Sequence, residues 1–91
     1  MRYQISGIHI DVGDALQTHV KAELNGAIRK YAERPTDAQI IFSKSGHEYV
    51  CDAIIHLSTG LTAQAKASKS EIYAAFEACA EKLGKQLRRY K

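Results

Sequence analysis

Polar and apolar positions alternate with period two over residues 2–10, RYQISGIHI, where Tyr3 and Ile5 share one parity and Ile8 and Ile10 the other. The alternation predicts a half-buried strand, with a bulge or local twist at Gly7, where the parity changes. The period then lengthens. Leu16, Val20, Leu24, Ala27, Ile28 and Tyr31 fall on one side of a helix running to about Ala32. Asp11 to Asp14 supplies its start, with Gly13 or Asp14 as the cap. Pro35 closes the segment, because it lacks an amide proton and disfavours helical geometry in the residue before it. The polar side mixes Lys21, Glu23, Arg29, Lys30 and Glu33, the composition of a solvated face.

Three further strands follow. Residues 38–44, AQIIFSK, form the second, and Ser45-Gly46 signals a turn. In the third, His47 to Leu57, one face carries Tyr49, Cys51, Ala53, Ile55 and Leu57, while Asp52 and His56 interrupt the other. The first set is the predicted core face. Ser58-Thr59-Gly60 makes the next turn, and Leu61, Ala63, Ala65 and Ala67 then alternate with Thr62, Gln64 and Lys66. Such small inward residues let a helix approach closely.

The last segment, SKSEIYAAFEACAEKLGKQLRRYK, returns to helical spacing. Ile72, Phe76, Cys79, Ala80, Leu83, Leu87 and Tyr90 lie within an arc of roughly 100°. Ser68 and Glu71 have the spacing of a capping box at its start. The predicted order is therefore strand, helix, strand, strand, strand, helix. Two amphipathic helices covering one face of a four-stranded sheet make a two-layer α+β sandwich. The first strand and helix form a right-handed crossover and the remaining strands a meander, leaving the far face of the sheet partly wet.

Composition adds bounds to this picture. With 91 residues, 45% hydrophobic, 25% charged and one proline, the chain is a single folded domain spanning residues 1–91. It holds no apolar run of about 18 residues, and its first residues lead into a strand rather than a signal-peptide core, so a cytoplasmic protein is expected. Cys51 and Cys79 lack metal-binding spacing and read as small buried hydrophobes.

The candidate chemistry is electrostatic. No catalytic residue, metal ligand or cofactor is expected: His9, His19, His47 and His56 are scattered without HxH or HExxH spacing, and no glycine-rich phosphate loop is present. An enzyme built on His56 and Asp52 of the open face is the weakest reading. The net charge is only +3, but its distribution is uneven. Glu81 is the last acid, and Lys82, Lys85, Arg88, Arg89 and Lys91 follow it. The helix dipole favours cations near a C-terminus. Their spacing also suits a phosphate backbone, and arginine adds planar contacts.

The segment SEIYAAFEACAEKLGKQLRRYK resembles the D-M-Y-x-A-I-(D/E) … K-L-x-(R/K)-Q-L-x-K motif of the ribosome hibernation promoting factor and ribosome-associated inhibitor family. IIFSKSGHEYVCDAIIHLSTG is similar to the third-strand hairpin of that family. The resemblance implies a βαβββα fold like that of double-stranded-RNA-binding domains. It also implies binding to the small ribosomal subunit in the channel of messenger and transfer RNA, with inhibition of translation in stressed or stationary cells. Lys82, Lys85, Gln86, Arg89 and Lys91 fall on motif positions expected near ribosomal RNA, and Lys44 matches a lysine after the second strand. Tyr73 matches a structural tyrosine, and Arg88 occupies a variable position. Glu71 and Ile72 stand where the family has Asp-Met, and no RNA role carries over to Lys21, Arg29 or Lys30. The implied partners are the small subunit and its ribosomal RNA, with no membrane or small-molecule substrate. Long family members add a C-terminal dimerisation domain. A general duplex-RNA-binding module is the alternative.

Overall fold

A computed structural model describes residues 2–31, 35–57, 60 and 62–89, with the side chains of 27–31, 35, 88 and 89 left aside. Its elements are β1 (Arg2–Gly7), α1 (Asp14–Tyr31), β2 (Pro35–Ser45), β3 (Glu48–Leu57), β4 (Thr62–Lys69) and α2 (Ile72–Arg89). The sheet runs β1-β2-β3-β4. β1 lies parallel to β2, as a helical crossover requires, and the other neighbours are antiparallel hairpin partners. Gly46, at a φ of 61°, opens the two-residue turn between Ser45 and Glu48.

Both helices cover one face. Leu16, Val20 and Leu24 of α1 and Ala75, Phe76, Cys79, Leu83 and Leu87 of α2 join the inward residues of β2, β3 and β4 in one buried cluster. The expected core parity of β3 holds: Cys51, Ala53, Ile55 and Leu57 are buried, and Tyr49 packs at the margin. The opposite face keeps Gln39, Ile41, Asp52 and Ile54 half-covered and His56, Gln64 and Lys66 exposed. The expected α+β sandwich in the order βαβββα is thus the observed architecture. On the first helix, Ala27, Ile28 and Tyr31 lie outside the described side chains.

Two local expectations are corrected. The first strand stops at Gly7 instead of running to residue 10, so the change of parity marks an exit from the sheet, not a bulge within it. Ile8 N–H still donates to Phe42 O at 2.8 Å, but His9 then enters the left-handed region at a φ of 61°. Histidine tolerates that region better than branched residues do. The turned chain brings Ile10 O into clashing range of where a Cβ on Gly7 would stand, which is why glycine ends the strand. The second correction concerns the capping box. Ser68 pairs with Val50 inside β4, which continues to Lys69, and its extended backbone cannot cap a helix beginning at Ile72. Glu71 takes the cap position, its carbonyl accepting from Ala75 N–H at 2.9 Å.

Strand two is longer than its hydrophobic core of residues 38–44. Pro35 begins it opposite Leu57, before pairing with β1 starts at Asp37, so its missing amide costs no ladder bond to β1.

Candidate nucleic-acid interface

β4 is an edge strand, and its outward backbone groups need partners. α2 supplies them. Gln86 accepts from Gln64 N–H through Oε1 at 3.0 Å and donates through Nε2 to Gln64 O. Lys82 Nζ donates to Lys66 O at 2.9 Å. The match is geometric: four helical residues rise about 6 Å, and two strand residues span about 6.8 Å. Side chains one turn apart on α2 therefore meet alternate residues of β4. The helix lies close enough because Ala63, Ala65 and Ala67 face it, with Cys79 Sγ 3.4 Å from Ala65 O.

This contact sorts the expected RNA-binding residues. Gln86 has both ends of its amide engaged with strand backbone, which ties α2 to the β4 edge. Lys82 uses one of three ammonium protons on Lys66 O and keeps its charge at the surface. Lys85 is exposed and meets Glu81 at 4.0 Å one turn earlier, an exchangeable pair worth about 0.3–0.5 kcal/mol at most. The backbone of α2 carries positions 88 and 89 onward from this row, but the side chains of Arg88 and Arg89 and the whole of Lys91 lie outside the described residues.

Lys44 stands apart from this row. It pairs with Tyr49, which pairs with Lys69 at the far end of β4, about 17 Å along the strand direction from Gln64. Its ammonium lies 5.4 Å from the centre of the Tyr49 ring. Lys44 is thus a second cationic point, separated from the Gln86 end of the helix by half the sheet.

A groove lies beside Lys82 at the β4 edge, lined by Ser45, Glu48, Val50, Lys66, Ser68 and Lys82 among others. Lys66 is a cation that charge reading along α2 alone misses. Its signal was the alternation of TAQAKASK, which puts Gln64, Lys66 and Ser68 on the polar side of β4. Lys66 lies directly across from Asp52 on β3, which offsets part of its charge.

The open face does not assemble the His56–Asp52 pair. His56 sits across from Asp37 and Thr62, with Nε2 3.9 Å from Asp37 Oδ1 and Nδ1 3.3 Å from Thr62 Oγ1. These are cross-strand neighbours at an exposed position. No helix among the described residues is long and apolar enough to cross a membrane.

Comparison with known proteins gives this geometry its context. A ribosome hibernation promotion factor of Rhizobium meliloti (strain 1021) is 34% identical over 91 residues, covering 100% of this chain and 48% of that protein. The chain therefore spans about half the length of that relative. A ribosome hibernation promoting factor of Azotobacter vinelandii is 32% identical, with 100% of this chain and 83% of the relative covered. Among solved structures, a ribosomal subunit interface protein from Coxiella burnetii superposes with a TM-score of 0.88 at 26% identity, covering 99% of this chain and 97% of that one. These names are those of ribosome-associated factors, not of enzymes. The same six elements thus recur in a solved relative, and a family model matches residues 3–91, so the chain belongs to the family described as Sigma 54 modulation protein / S30EA ribosomal protein.

Proposed function

We propose that residues 1–91 form one ribosome-binding domain that docks on the small ribosomal subunit in the channel of messenger and transfer RNA and inhibits translation in stressed or stationary cells. The observation that carries this reading is the similarity of the whole chain to ribosome hibernation factors, combined with a cationic row that runs past the closed edge of β4. Lys82, Lys85, Arg88, Arg89 and Lys91 contact ribosomal RNA phosphates, joined by Lys66 across the edge and by Lys44 at the far end of the sheet. About five to eight phosphates are neutralised, releasing counterions and making the affinity fall steeply with salt. The mechanism is steric. The bound sandwich fills space that messenger and transfer RNA need, so no reaction and no cofactor enter. The protein acts in the cytoplasm, where its partner is found.

Reversing Lys85, Arg88 and Arg89 to Glu tests the assignment. Co-sedimentation with purified small subunits should be lost while the circular dichroism spectrum is unchanged. Binding retained by the folded variant would remove α2 from the interface. Equal competition by free RNA duplex would replace the ribosomal reading with general duplex binding.

A further inference from the structure

Away from the basic row, where α1 packs on α2, three metal-binding side chains converge. His19 and Glu23 stand one helical turn apart on α1, and Glu77 comes from α2. His19 Nε2 lies 2.7 Å from Glu77 Oε1, and the donor atoms of the three residues all fall within 4.8 Å of one another. The imidazole is fixed in direction, because its ring meets Tyr73 edge-on at 5.2 Å and Phe76 at 5.7 Å. We propose that His19, Glu23 and Glu77 form a binding site for a divalent cation of the zinc type that clamps α1 to α2.

The donor set selects the metal class. One imidazole and two carboxylates suit Zn²⁺, Co²⁺ or Ni²⁺, while an all-oxygen shell would suit Mg²⁺ or Ca²⁺ and thiolates would suit Cu⁺. Ligands on a tetrahedral zinc ion at about 2.0–2.2 Å stand about 3.4 Å apart, so the His19–Glu77 contact has to open by only about 0.7 Å. Glu77 is half-exposed and free to rotate by that amount, while the aromatic contacts hold His19 in place. The ion takes the place of the direct contact between Nε2 and Oε1. Two carboxylates balance its charge, and water completes the coordination. Neither part of the pattern is legible alone: His19 and Glu23 read as an ordinary polar helix face, and Glu77 is 58 residues from His19 in sequence.

The experiment uses the 91-residue chain stripped with EDTA, with Zn²⁺ as the stabilising probe and Co²⁺ as the paramagnetic one. Saturation with Zn²⁺ at about a hundredfold excess over its dissociation constant should raise the unfolding temperature by about 10 °C, reversibly on adding EDTA. Glu23→Gln and Glu77→Gln should each abolish most of that shift while unfolding normally in EDTA. Co²⁺ should broaden amide signals around residues 19, 23 and 77. An undiminished shift in both variants, broadening centred on His9, His47 or His56, or no shift in the unaltered chain would each overturn the site. None of these readouts involves the ribosome, so the site stands or falls independently of the proposed function.

Discussion

Replacing Gln86 with Ala separates the residues that hold α2 in place from those that meet a ligand. The amide makes two hydrogen bonds to Gln64, one to its N–H at 3.0 Å and one to its carbonyl. Both strand groups lie at an exposed edge, so water replaces the amide when it is lost. The relevant figure is therefore the net worth of each bond, about 0.5–1.5 kcal/mol, and not the larger penalty of a buried orphan. Two bonds give about 1–3 kcal/mol, and alanine's better helix propensity returns about 0.4 kcal/mol. A loss of about 1–2 kcal/mol should lower the urea midpoint by about 1 M for a domain of this size. Binding to the small subunit should not change under conditions where the variant is folded, because a neutral amide releases no counterion, and the salt dependence should keep its slope. The reasoning fails if the urea midpoint is unchanged. Unchanged stability with weakened binding would place the Gln86 amide on RNA and not on β4.

Two further outcomes follow from the core. Phe76 is fully buried, with its ring 6.4 Å from Phe42 and 5.7 Å from His19, so Phe76→Ala should cost about 3–5 kcal/mol in urea unfolding, a large share of the roughly 5–15 kcal/mol that holds a domain folded. A hydrogen bond with Cys79, and after it burial, raises the pKa of the Cys51 thiol above its ordinary value, while the same contact lowers that of Cys79. Above about pH 8.5 the unfolded thiol therefore loses its proton while the folded one keeps it, and stability falls as pH rises, by up to about 1.4 kcal/mol per unit. Unfolding measured across the alkaline range should show a shallower decline in Cys51→Ala, and equal slopes would show that the thiol is not held protonated.

Much of this architecture was legible because each element's period matched its burial. The alternation of HEYVCDAIIHL put Tyr49, Cys51, Ala53, Ile55 and Leu57 on one face, and that face is the core side of β3. The spacing of Phe76, Cys79, Leu83 and Leu87 likewise described the buried side of α2. What escaped was decided by contacts between distant residues. A parity change at Gly7 has the same appearance whether a strand bulges or ends, and only the approach of Ile10 O separates the two. Ser68 and Glu71 carry the spacing of a capping box, but pairing of Ser68 with Val50 keeps that residue in the sheet. The proximity of Cys51 and Cys79 across β3 and α2 has no signal in their spacing either. In the candidate interface, the cations after Glu81 were visible as charge, while the engagement of Gln86 and Lys82 by β4 backbone was not.

That engagement shows how one helix can close the fold and still carry charge that the fold does not need. An edge strand needs donors and acceptors along its backbone, and α2 provides them at a spacing of one turn, through Lys82 and Gln86. The requirement is for hydrogen-bonding capacity, which a neutral glutamine meets as well as a lysine does. The positive charge at Lys82 therefore exceeds what closing the edge needs. Lys85 takes no part in that closure, and the ion pair found for it is the exposed one with Glu81. The helix dipole rewards cations in the last turn, but its influence fades within about one turn of the terminus, and Lys82 lies nearly two turns before Arg89. Neither edge closure nor the dipole accounts for the charge at Lys82, and that remainder is what a phosphate backbone would use. The same contact fixes where that charge stands, since anchoring Lys82 to Lys66 O holds its ammonium beside the groove at the rim of the open sheet face.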